Sequence, residues 1–426
     1  MTDPSLPPIR MWLTAPLSHE VAEALGRLQR APDIQQIAVM PDVHLANDIC
    51  VGVVLATSRL IYPQAVGGDI GCGMLAVATN STAEPLRDPK AAGQILAGFA
   101  KAIPSRRRNR QAVVAQPQDL DSIELSSARL ESVRRSEGAV EFATLGSGNH
   151  FLELQADEED QLWLMLHSGS RALGQAIRDH HLSGAQVVDG RFRALDAESE
   201  QGAAYLHDLD WARRYAAASR RAMASEAEKV IQEVIRARLF WETSIATDHN
   251  HVALEQHSAS KLWVHRKGAM VLQAGELGVL PGSMGTLSFH VQGRGCEEAL
   301  NSSAHGAGRA MSRSEAARKI SRAELQRQMK GVWFDWRLAD EIRDEAPSAY
   351  KDIRAVLKEQ HNPEQSFTVL LALNRVDQPI DFRFVQHTFL NGIAIVVNLA
   401  CHRFPIRHVH DFKVRHRQHV SPAALT

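Results

Sequence analysis

Short apolar runs broken by turn residues dominate the first part of the chain. QIAVM, CVGVVLAT and MLAVAT, within residues 36–79, alternate with segments rich in Gly, Asp and Pro, a pattern that predicts strands joined by loops. EFATLG, QLWLMLH, KLWVH and LSFHV predict further strands. Between Ala203 and Leu239 the period changes. Leu206, Leu209, Tyr215, Met223, Val230, Val234 and Ile235 follow helical spacing without Gly or Pro, which predicts a core-packing helix or helix pair. Residues 314–330 and 338–358 also read as helices, and the mixed stretch 84–137 as helices with a loop. No internal repeat and no regular βαβ spacing is present. The expected fold is a mixed α/β (α+β) single large domain, with complex mixed sheets and surrounding helices.

Composition narrows the class. The 426 residues include 44% apolar positions, with 48 Lys+Arg against 49 Asp+Glu. A large core is therefore possible, and a disordered chain, a collagen-like repeat and a disulfide-stapled mini-protein are excluded. Near-neutrality also excludes coating of nucleic acid through bulk positive charge. Cys50, Cys72, Cys296 and Cys401 are far apart and form no CxxC pair, so neither a disulfide framework nor a zinc ribbon is expected. The first residues lack a signal pattern and no apolar run approaches a membrane span. The expectation is a soluble cytoplasmic protein without a membrane partner.

Charge is unevenly distributed. Residues 366–426 carry seven Lys/Arg, three Asp/Glu and six of the 20 histidines. That leaves the body with a mildly acidic balance. The reading is a catalytic domain over 1–365 and a divergent, basic, His-rich segment over 366–426. A second basic feature is SRRRNR (105–110), with four arginines in six residues. Such a run is ordinarily a solvated face, and RNA contact is its functional alternative.

Thirteen of the 27 glycines fall in six blocks: VGGDIGCG, LGSGNHFLE, HSGSRALG, HRKGA, PGSMGT and HGAGR. Glycine permits close backbone approach to a ligand, and each block also holds His, Cys, Asp, Arg or Ser. Asp69 and Cys72 lie three residues apart in a Gly-flanked turn, so their side chains can converge. With His150, His167 and His249 they make a thiolate, carboxylate and imidazole set suited to a transition metal, Mn²⁺ or Zn²⁺, and large enough for two ions. His44 is a further candidate for this cluster. His265 reads either as a phosphate binder or as a structural residue. PGSMGT has the small residues of an anion nest but not the ending of a P-loop. Arg171, Arg309 and Arg313 each follow a small-residue turn and can fork onto phosphate, with surface salt bridging as the plainer role. His305, among the glycines of HGAGR, is accessible to a bulky electrophile, and imidazole is a good nucleophile when its second nitrogen is oriented.

Together these strings resemble the RtcB family of RNA-splicing ligases. The matching segments are MPDVH (40–44), VGGDIGCGM (66–74), LGSGNHFLE (145–153), HSGSRALG (167–174), DLDWARRYAAASR (208–220), DHN (248–250), VHRKGA (264–269), LPGSMGTLSF (280–289), SSAHGAGRAMSR (302–313) and DEAPSAYKDI (344–353). The resemblance implies an RtcB-like fold and a ligase dependent on GTP and two Mn²⁺ ions, acting in tRNA splicing or RNA repair. Its RNA substrates would carry a 2′,3′-cyclic phosphate or 3′-phosphate end and a 5′-hydroxyl end. It implies guanylylation of His305, oriented by Asp42, and metal ligation by Asp69, Cys72, His150, His167 and His249. The implied nucleotide contacts are Asn149, Glu153, Asn250, Pro281, Gly282, Ser283, Met284, Gly285, Ser288, Gly306, Ala307, Gly308, Arg309 and Tyr350. An archease-like activator is a further implied partner, and a monomer is expected.

The chain departs from the family at three places. LANDIC follows MPDVH where the family is glycine-rich, and Ser219 stands for the family's Asn. The family's Lys-Gly ending, whose Lys reads guanine, is replaced by a sequence running to SPAALT. Either another residue replaces that Lys, or guanine selectivity is weakened, or the tail arose by a frame change and packs poorly. Two other function classes fit the same residues: a dinuclear metal phosphoesterase acting on RNA ends, and a non-catalytic RNA-end-binding paralogue.

Overall fold

The computed structural model describes residues 6–361, with the strand backbones Phe367–Leu373 and Ile395–Asn398. The remaining C-terminal positions, and with them the expectations for the tail and its ending, lie outside the described residues.

Two sheets carry the architecture, which is the expected mixed α+β type. The first has five strands in the order Ile9–Met11, Ile34–His44, Val51–Thr57, Ser260–Lys267, Asn250–His257. The second has six: Ile245–Asp248, Gly73–Thr82, Gln161–Ser168, Phe151–Ala156, Ile395–Asn398, Val332–Trp333. Parallel and antiparallel pairs mix in both. Among the described residues three small sheets accompany them, and Phe367–Leu373 adds an edge to one beside Ser288–Gly293. The chain passes from one large sheet to the other through a single residue, His249, between Asp248 and Asn250. A metal-ligating residue type therefore sits at the seam. Among the described residues no helix is long and apolar enough to cross a membrane.

Helix Glu200–Ile235 braces the second sheet. Tyr205, Leu209, Ala212, Tyr215, Ala216, Met223, Ala227 and Ile231 form its buried face, a three/four-residue recurrence that places one stripe on the core. Ser199 caps its start through the Gly202 N–H, and left-handed Arg236 ends it directly after Ile235, which still packs on the core, rather than at Leu239. Buried Arg220 on this helix donates to the carbonyls of Gly71 and Ser168, each at 2.7 Å. The helix thereby fixes two loops that bear candidate ligands.

Two expectations are corrected, EFATLG and 338–358, and the helical character of 314–330 holds with one break. EFATLG is not a strand. Glu141 closes a short helix, Ala143 is left-handed (φ 56°), and the Ala143 N–H is taken by Ser219 rather than by a sheet partner. Its apolar residues are buried on all sides, so they lack the alternation a half-buried strand requires. Residues 314–330 form two helices, Arg313–Lys319 and Arg322–Gln328. Extended Ile320 breaks the run and Ser321 starts a new helix by capping the Glu324 N–H at 3.1 Å. Residues 338–358 are mostly short turns. Pro347 holds Ala346 extended, and a regular helix begins only at Ile353.

Candidate active site

The seam between the sheets gathers the five candidate ligands. Gly71 N–H donates to the Asn250 carbonyl (2.8 Å) and His249 N–H to the Cys72 carbonyl (2.9 Å), which locks the DIGCG turn against the strand crossover. Cys72 Sγ then lies 3.1 Å from His167 Nε2 and 3.4 Å from His150 Nε2. His150 Nε2 is 2.9 Å from Asp69 Oδ2, and His167 Nε2 is 3.2 Å from His249 Nε2. The atoms form two groups, Asp69–Cys72–His150 and Cys72–His167–His249, each compact enough to hold one cation. Cys72 belongs to both groups.

Tautomers are set from behind. His150 Nδ1 donates to the Leu145 carbonyl (3.0 Å) and His167 Nδ1 to that of Asn149 (2.9 Å), which turns each Nε2 toward the cluster. Electrostatics agree with a cation-binding role. Burial drives His167 down to about 3 and His249 well below its ordinary value, so these imidazoles are neutral at physiological pH. Burial opposes ionisation of Asp69, but adjacent His150 overcomes it and holds the carboxyl at about 2. Burial and Asp69 push the Cys72 thiol well up. A bound cation inverts that last preference, because coordination deprotonates the thiol. The donor set therefore fits a transition metal: facing nitrogen lone pairs at the centre repel one another unless positive charge lies between them.

His305 faces this cluster, its ring 4.7 Å from that of His249. Its Nδ1 lies 2.6 Å from Asp42 Oδ2, and the same oxygen accepts its main-chain N–H at 3.2 Å. Asp42 is fully buried, and neither its Oδ1 nor His305 Nδ1 has a well-directed hydrogen bond. Such contacts often tighten only when substrate is bound. Lys351 Nζ holds the flanking carbonyls of Pro41 (2.9 Å) and Val43 (2.6 Å). Gly308 passes close behind with φ +71°, and a Cβ there would sit 2.3 Å from the Asp42 carbonyl oxygen. Gly308→Ala is thus expected to displace Asp42 and cut turnover about 100-fold. Steady-state kinetics beside a melting curve will show activity lost well before the fold.

Both features open into one cleft of about 1260 Å³. Its walls include Asn149, Glu153, Asn250, Pro281, Gly282, Ser283, Met284, Gly306, Ala307, Gly308, Arg309 and Tyr350. Gly285 and Ser288 are not on the wall. Gly285 packs against Pro347, and buried Ser288 supports from behind, accepting from Gly282 N–H (3.4 Å) and Gln155 (3.1 Å). The PGSMGT nest is partly filled by its own chain, since Thr286 Oγ1 takes the Ser283 N–H at 2.7 Å. Asn250 spends its amide on the Asp69 carbonyl (3.0 Å) and the Gly268 N–H (2.8 Å), so it clamps the ligand loop. His44 lines the cleft but joins neither ligand group. His265 is structural: fully buried, it accepts from Tyr62 N–H and donates to the Trp263 carbonyl.

The model of the tRNA-splicing ligase RtcB family matches residues 25–370. The chain belongs to the RtcB family. It is 36% identical to the RNA-splicing ligase RtcB of Escherichia coli K12, over 83% of this chain and 93% of that protein. The tRNA-splicing ligase RtcB of Methanococcus maripaludis is 28% identical, over 83% of this chain and 90% of its own length. The RNA-splicing ligase RtcB of Mycobacterium bovis is 27% identical, over 76% and 91%.

This RtcB chain also uses residues that sequence reasoning passed over. Glu345 is a buried hub that accepts from Arg309 (3.2 Å), Arg313 and the Tyr350 hydroxyl. It lies in the DEAPSAYKDI block, and its signal was the carboxylate between two separately noted Arg and Tyr motifs. Arg309 also stacks over the Tyr350 ring at 5.1 Å. Lys267, from the HRKGA block, lines the cleft with its ammonium brought down to about 8 by burial.

Proposed function

We propose that this RtcB protein seals RNA, joining a 3′-phosphate or 2′,3′-cyclic phosphate end to a 5′-hydroxyl end with GTP as the energy source. The observation that carries the reading is the His305–Asp42 pair facing a two-position ligand cluster across one cleft. Asp42 orients the His305 ring, and the Nδ1 proton stays on that side. Nε2 then attacks the GTP α-phosphorus: an N–P bond forms, the α–β P–O bond breaks and pyrophosphate leaves. The GMP passes from His305 to an oxygen of the RNA 3′-phosphate. A cyclic phosphate must first be opened by water. Finally the 5′-hydroxyl attacks the activated 3′-phosphorus, loses its proton, and GMP departs.

Asp69, Cys72 and His150 would hold one Mn²⁺ and Cys72, His167 and His249 another; when bound, the ions supply charge neutralisation for the phosphates. Arg309 and Tyr350, fixed by Glu345, shape the wall of the nucleotide cleft. The test uses two RNA oligonucleotides, one ending in 3′-phosphate and one beginning with 5′-hydroxyl, with Mn²⁺ and GTP. The expected result is one GMP released for each joined product. Release of inorganic phosphate without GTP, and no joining, would instead support a phosphoesterase.

A further inference from the structure

The SRRRNR run has no place in the chemistry above, yet the fold puts it at a second opening of the same site. That opening, about 340 Å³, is lined by Asp69, Asn149, His150, Arg171, Gln175 and Arg313, among others. The basic loop starts beside it. Ser105 carbonyl accepts from Gly146 N–H (2.8 Å) and from Arg171 Nη2 (3.3 Å). Pro104 carbonyl accepts from Leu145 N–H (3.0 Å), and Leu145 carbonyl in turn holds His150. The loop is therefore tied by main-chain bonds to the segment that presents a metal-ligand candidate.

Its four arginines divide the work. Arg108 turns inward and donates to the carbonyls of Ala102 (2.9 Å) and Ala143 (2.7 Å), which anchors the loop. Arg107 is exposed and pairs with Glu137 at 2.5 Å. Arg106 and Arg110 are exposed and have no ion-pair partner among the described residues. Asn109 caps the turn that carries Arg110. From Ser105 to Gln118 the chain has no carboxylate and no aromatic residue. Positive charge thus continues from Arg171 at the opening to Arg106 and Arg110 on the loop, whereas Arg313 is neutralised by Asp344 and Glu345.

We propose that single-stranded RNA beyond the reacting end leaves the site through this opening and lies along the 105–110 loop. The proposal rests on the RNA-joining reading. Guanidinium forks match phosphate oxygens. Absence of aromatics leaves no platform for base stacking, so the loop reads backbone charge and not sequence.

The experiment measures binding of a fluorescent 5′-hydroxyl oligoribonucleotide of about 12 nucleotides to the full chain by anisotropy, across a salt series. The loop variant is Arg106→Ala with Arg110→Ala; the control variant is Arg238→Ala with Lys261→Ala, exposed cations elsewhere. The loop variant is expected to bind about ten-fold more weakly, with a log–log salt slope shallower by about 1.4, the value for two lost single-strand phosphate contacts. His305 labelling by GTP without RNA should be unchanged in it. Equal weakening in the control variant, or wild-type affinity in the loop variant, overturns the path. Stronger binding to duplex than to single strands also overturns it. Failure of wild-type labelling would count against the GTP mechanism, while the binding arm still decides this proposal.

Discussion

Cys72→Ala is expected to empty both metal positions at once. Its sulfur belongs to each ligand group, so its loss leaves one pair of donors, Asp69 and His150, and another, His167 and His249. Two-donor sites with facing nitrogens at 3.2 Å retain divalent ions poorly. Joining should fall by at least about 10³-fold, beyond the loss that follows removal of a single electrostatic donor. Metal analysis after dialysis against Mn²⁺ should fall from about two ions per chain to less than one. Activity lost with metal content unchanged would show that the thiol acts other than as a bridge. His150→Ala should be milder in metal content, because the second group stays whole.

The second large effect is on stability. Arg266 is fully buried and donates to Glu255, to Ser302 Oγ (2.9 Å) and to the Leu300 carbonyl (2.9 Å). Glu255 is itself largely buried, and although burial opposes its ionisation, His257 and Arg266 hold it down at about 2. Arg266→Met removes the countercharge and strands that carboxylate. The expected cost is about 3–5 kcal/mol, read from the shift of the urea midpoint at constant slope. Adding Glu255→Leu should recover much of the loss, since a buried pair replaced by apolar groups is often neutral. The pH dependence follows from the depressed carboxyl. In the wild type this contribution is full above the unfolded value near 4.5 and disappears as pH falls toward about 2. In Arg266→Met the acid-dependent loss should shrink.

Much of the site was legible because each ligand sits in its own glycine-rich block at a strand end. Asp69, Cys72, His150, His167 and His249 converge as their residue types implied, and His305 faces them. What sequence could not show was direction. PGSMGT reads as a set of free donors, yet Thr286 and Ser288 turn back onto it. Asn250 and Ser288 read as ligand contacts, and their side chains also brace loops. Supports that act across long separations were invisible as patterns: Arg220 under Gly71 and Ser168, Lys351 under the Asp42 segment, Arg266 on Leu300 and Ser302. The fold was read best where period was long and unbroken, as in Glu200–Ile235. It failed at EFATLG and 338–358, where burial on all sides or a proline overrode local pattern.

The central claim is that His305 carries the nucleotide. Wild-type protein, Asp42→Asn and His305→Ala are incubated with Mn²⁺ and GTP labelled at the α-phosphate, without RNA. The label is then located by peptide mapping. The account predicts an acid-labile label on His305 in the wild type, formation slowed by about 10³-fold or more in Asp42→Asn, and none in His305→Ala. Label retained by His305→Ala, or joining by a wild-type protein that never becomes labelled, would contradict it.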